Sequence, residues 1–160
     1  MAEIIALIFL IPAATITFIA LLVAITYLWP QRTNQASRTL DQSPGRSFII
    51  GFVNFLFFGI LATFLSQQGD FAGLLALLLL LALLGIAVLG MGGFLLLLTN
   101  RIFPQAEDEL KARLKTAVLL ILALLAPIIG WFIFTPLLLI FGLGAGIMAL
   151  FRRNKPKAEF

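Results

Sequence analysis

Residues Thr116 to Phe151 carry no charged side chain, although the basic group Lys111, Arg113 and Lys115 precedes them and Arg152, Arg153, Lys155 and Lys157 follow. A continuous helix of about 36 residues would reach roughly 54 Å, while the hydrocarbon layer of a bilayer is about 30 Å thick. The stretch is too apolar for water and too long for one ordinary span. Its middle holds Pro127, Gly130, Trp131 and Pro136, residue types that break a helix or mark an interface. They predict a hairpin turn between a helix over about 116–130 and another over about 136–151.

The rest of the composition agrees with a membrane solvent. Hydrophobic residues make up 62% of the chain and charged ones 11%, against about 45–50% and about 25% in soluble domains. Helices satisfy their own backbone, so the expected fold class is an all-α integral membrane protein. Its 160 residues make a single membrane domain, 1–160. Cysteine and histidine are both absent, which excludes disulfides, iron–sulfur clusters and histidine-ligated haem. No cofactor and no metal are expected. The net charge of +4 comes from residues beside apolar runs, so it points to topology and anionic lipid instead of nucleic acid.

The first apolar run, about residues 4–29, is longer than the core of a signal peptide, lacks a basic leader and reads as an uncleaved span bent at Pro12. Tyr27 and Trp29 close it as interfacial aromatics. Gln31 to Arg46 reads as a polar loop, with Ser47 as the cap of the next helix. A phenylalanine-rich span follows at about 48–65, then a short turn at 66–70 that makes its neighbour antiparallel. The third span, about 71–99, has Gly85, Gly90, Gly92 and Gly93 in its second half. Residues 105–115 read as a short amphipathic helix, with Glu107, Asp108 and Glu109 in its first turn and Lys111, Arg113 and Lys115 in its last.

Lysine and arginine favour the cytoplasmic ends of spans. Arg32, Arg38 and Arg46 lie in the first loop, Arg101 in the third, and Arg152 and Arg153 in the tail. All three clusters share one side if the N-terminus is outside, the last block is a hairpin and the C-terminus is inside. The expected architecture is therefore three transmembrane helices plus a C-terminal helical hairpin, five hydrophobic helices in all. The six arginines become candidates for contact with anionic headgroups.

Within the spans, Asn54 is the most polar side chain and is expected to serve helix packing through a hydrogen bond. Gly85, Gly92, Gly142 and Gly146 are expected to allow close helix approach, with Gly142 and Gly146 in small-xxx-small spacing. No Asp, Glu, Lys or Arg lies inside a span, which argues against proton-driven transporters and pumps. The acidic run 107–109 suits the positive end of a helix and needs no catalytic role.

The segments Ser43-Pro-Gly-Arg-Ser-Phe-Ile-Ile-Gly51, Leu125-Ala-Pro-Ile-Ile-Gly-Trp131 and Phe141-Gly-Leu-Gly-Ala145 resemble the multi-span regions of uncharacterised prokaryotic membrane proteins, some of them attached to bactofilin-like domains. The resemblance covers roughly residues 44–153, implies a bacterial membrane and supplies no catalytic residue. The chain itself has no bactofilin β-helix.

The resulting expectation is a non-enzymatic accessory or scaffold subunit of a complex in a bacterial inner or thylakoid-type membrane, in contact with other membrane subunits. The other class is a small channel or lipid/solute carrier that uses the last hairpin.

Overall fold

Every regular element in the computed structural model, which describes residues 2–126 and 128–151, is a helix. The first, α1 (Ala2–Leu28), ends where Pro30 forces its predecessor out of helical geometry: Trp29 adopts φ −128° and ψ 61°. Proline disfavours helix in the residue before it yet suits the first position of a new one. Helix α2 (Pro30–Gln42) starts there, bent 102° from α1.

This corrects the expected loop over 31–46. Gln, Asn and Ser lower helix propensity, but tertiary packing overrides it. Thr33, Ala36, Ser37 and Leu40 form a buried stripe at i, i+3, i+4 and i+7. Small glycines receive it: a Cβ on Gly93 would meet that of Ala36 at 2.5 Å, and one on Gly92 would meet the Thr33 methyl at 3.1 Å.

Helix α3 (Pro44–Ser66) begins at its proline, four residues before the expected start, so Ser47 is buried inside the helix and caps nothing. Gly69, at φ 108°, supplies the reversal into α4 (Asp70–Ile102), a backbone region open mainly to glycine. Residues 105–108 are not helical, which shortens the expected amphipathic segment. Asp108 instead caps α5 (Glu109–Leu125), accepting from the backbone N–H of Leu110 at 3.1 Å and Lys111 at 3.2 Å.

Helix α5 ends as Ala126 takes ψ 118° and Ile128 stands at φ 71°; Pro127 lies outside the described residues. Gly130 opens a single π-helical turn, Gly130–Phe134, that runs directly into α6 (Thr135–Phe151). A Cβ on Gly130 would approach the carbonyl oxygen of Ala123 at 2.7 Å, so the tight return from α5 needs glycine. Pro136 is not part of the reversal, contrary to expectation. It sits in the first turn of α6, where it lacks an N–H and its ring crowds the carbonyl four residues back. The chain widens just before it: the Thr135 N–H and hydroxyl both donate to the Gly130 carbonyl.

Three helices are long and apolar enough to cross a membrane: Pro44–Ser66, Asp70–Ile102 and Gly130–Phe151. The bent pair Pro12–Leu28 and Pro30–Gln42 is a fourth candidate. Helix α4 is the centre of the packing. Leu22, Val23, Ala117, Leu120 and Leu138 surround its Met91 and Leu95, while Ile25, Ala36, Leu40, Ala145 and Ala149 gather at Leu89.

Candidate functional site

Two charged side chains of α2, Arg32 and Asp41, reach other helices. Arg32 donates from Nη1 to the carbonyls of Ala149 at 2.7 Å and Leu150 at 3.1 Å. These belong to the last turn of α6, where carbonyls are unpaired and a cation complements the helix dipole. At the other end of α2, Asp41 pairs with Arg101 at 2.6 Å. Both side chains are more than half exposed, so that pair contributes little.

Arg113 is better held. Its Nη2 donates to Glu109 Oε2 at 2.7 Å, its Nη1 to the Thr26 hydroxyl at 3.2 Å, and its guanidinium stands 4.5 Å from the Tyr27 ring centroid. The Thr26 hydroxyl in turn donates to the Val23 carbonyl at 2.7 Å. With only 17% of its side chain exposed, Arg113 ties the start of α5 to the end of α1. Next to it, Lys111 pairs with Asp108 at 3.1 Å. The Lys111 backbone N–H, followed by the Lys111 side chain, holds the Asp108 carboxyl below its ordinary value.

These contacts involve the C-terminal ends of α1, α4 and α6 and the N-terminal end of α5. The ends of α4 and α6 are held on α2, a 13-residue helix about 20 Å long, and the start of α5 joins them through the end of α1. The result is a basic collar. Among the described residues no three potential metal ligands come together, and Asp41, Asp108 and Glu109 each face a cation.

Of the arginines expected at lipid headgroups, Arg38 and Arg46 are exposed, Arg32 and Arg101 have protein partners, and Arg152 and Arg153 lie outside the described residues. Of the packing candidates, Gly92, Gly142 and Gly146 make close approaches, but a Cβ on Gly85 would meet nothing within 4 Å. Asn54 bonds the Ile50 carbonyl of its own helix at 2.8 Å, not a neighbouring helix. Gly130 shapes the reversal and Trp131 is exposed beside it. The sequence reading did not single out Thr26, Asp41 or Arg113 as a site. Only the Glu109/Arg113 spacing hinted at one, because the other partners are 60 or more residues away.

Away from the collar, a cleft of about 200 Å³ lies between α3, α4 and α6, lined by residues such as Phe55, Gly59, Leu80, Leu84, Leu139 and Leu143. It offers no acid, base or nucleophile. No protein-family model, characterised protein or solved structure matches the chain.

Proposed function

We propose that the chain is a non-enzymatic integral membrane protein serving as an accessory or scaffold subunit of a complex in a bacterial inner or thylakoid-type membrane. The observation that carries this reading is the outer part of the α3–α4 hairpin. Between Gly51 and Ala87 only Ala62 and Ala76 are buried, and phenylalanines 52, 55, 57, 64 and 71 are exposed. Gly59 and Gly73 open onto free space. Lipid tails accommodate such a surface, and exposed small residues are where a second membrane helix approaches most closely. The chain thus presents an apolar arm ready for a partner subunit, anchored by a compact base.

In this reading the basic collar faces the cytoplasm and meets anionic lipid, as positive charge beside spans requires. The N-terminus is outside, the C-terminus is inside, and α5 and the last span form the returning hairpin, giving five apolar helices. The channel or carrier reading has less support, because the cleft beside the last hairpin is lined by apolar side chains alone and gives a polar solute no partner.

The test is gentle detergent extraction of the tagged full chain and identification of what travels with it. A stoichiometric integral membrane partner is expected, lost when Gly59 and Gly73 are replaced by leucine. A monomer with no companion overturns the proposal. Orientation is read separately with a single cysteine at Trp131, in a chain that has none of its own; labelling from the outside is expected.

A further inference from the structure

A groove separate from that cleft runs between α1 and α4. One wall is Leu21, Ile25 and Trp29; the other includes Leu81, Gly85 and Leu89. Each set repeats every four residues, so two helix stripes face one another over about 12 Å. The volume is about 660 Å³, within the range of about 300–1,000 Å³ typical of ligand sites.

The lining is amphipathic in one direction. Arg32, in the first turn of α2 beyond the bend at Trp29, is the one charge in the groove, and Leu150 from the end of α6 stands with it. Two apolar runs therefore end at the same place. That of α1 stops at Trp29 and that of α6 at Phe151, while the opposite wall lies well inside the apolar run of α4. Such a groove has a cationic, indole-flanked head at the polar boundary and a hydrocarbon body, with a depth that fits one leaflet of a layer about 30 Å thick.

We infer that this groove holds one anionic phospholipid, its phosphate on the Arg32 guanidinium and an acyl chain along the stripe past Gly85. This rests on the membrane reading above and names one lipid site within it. Arg32 satisfies the α6 carbonyls from Nη1 alone. A guanidinium has five N–H donors, so the same side chain can bridge the helix end and a phosphate. An apolar helix seated in the groove would instead strip water from that charge without replacing it. The groove also carries no acid to offset the cation, which favours net-negative headgroups over zwitterionic ones.

The experiment reconstitutes the full chain into equimolar phosphatidylglycerol and phosphatidylcholine vesicles, extracts it mildly and counts retained lipids by native mass spectrometry. One retained phospholipid is expected, with glycerol favoured over choline about fivefold, the ratio for one well-placed cation at a membrane surface. Gly85→Trp projects into open space, so it fills the groove, keeps the melting temperature and abolishes retention of both lipids. Arg32→Gln keeps a lipid and brings the ratio to about one. Equal retention of the two lipids by the wild type, or unchanged retention in Gly85→Trp, overturns the inference. So does a wild-type dimer that Gly85→Trp dissociates, because the groove then belongs to a second copy. Failure of the chain to float with the vesicles refutes the membrane reading itself, and is seen before any lipid is counted.

Discussion

Gly90 on α4 and Gly142 on α6 meet backbone to backbone: a Cβ on Gly90 would overlap the Gly142 carbonyl group, and one on Gly142 would approach the Ala87 carbonyl oxygen at 2.8 Å. Gly51 on α3 stands in the same relation to α6: a Cβ there would lie 2.9 Å from the Gly144 nitrogen. In a membrane, where lipid is as apolar as leucine, close packing of this kind is a principal source of helix association. These two contacts fasten α6 to both arms of the α3–α4 hairpin.

Gly90→Ala is therefore expected to destabilise the fold by about 3 kcal/mol, the upper end for overpacking, since backbone and not a movable side chain must give way. Gly85→Ala, five residues earlier on an open face, is expected to be neutral or to stabilise by up to about 1 kcal/mol through helix propensity. Thermal unfolding in detergent compares the two. Equal effects would refute the contact.

Ile128 has φ 71°, a left-handed conformation that costs a β-branched residue about 1–2 kcal/mol. Its side chain is exposed, so little packing is lost when it is removed. Ile128→Gly is expected to raise the melting temperature, with a net gain of about 1 kcal/mol after the greater freedom of glycine in the unfolded chain is subtracted. A lower melting temperature would show that the turn does not adopt this geometry.

Arg113 and Tyr27 are 86 positions apart in sequence and form a cation–π pair at 4.5 Å. A double-mutant cycle of Arg113→Ala and Tyr27→Phe should give little coupling, because the phenyl face remains. Tyr27→Leu in the same cycle should give about 1 kcal/mol. Equal coupling for the two aromatic replacements would mean that the ring face is not the partner.

The membrane class, the short α3–α4 turn and the reversal near Gly130 were legible because each rests on a local signal: an uncharged run, a five-residue polar break, a Pro–Gly pair. Helix α2 was not, since its propensities are poor and only the flat glycine surface of α4 makes the Thr33–Leu40 stripe worth burying. Pro136 misled for a related reason. Proline breaks an α-helix, but a π turn ahead of it absorbs the missing bond and lets the span continue. Gly85 and Gly92 look alike in sequence; whether a neighbour fills the space beside a glycine is decided by the crossing of helices far apart in the chain.

The cap of α5 gives the fold a pH dependence with a defined sign. The Lys111 backbone N–H and side chain, and the Leu110 N–H, favour the ionised Asp108 carboxylate and hold its pKa below 3.8. A group depressed on folding stabilises fully above its unfolded pKa and loses that contribution as pH falls through the folded value. Asp108→Ala should therefore melt below the wild type at neutral pH, and the two should converge in acid as the wild type loses its carboxylate. Asp108→Asn retains an acceptor for the N–H groups but no charge, so its melting temperature should lie between them at neutral pH and change less on acidification. Melting curves of the three proteins in one detergent, taken from neutral pH down through 3.8, decide the matter: a constant gap between wild type and Asp108→Ala would mean that the carboxylate charge takes no part in holding the start of α5.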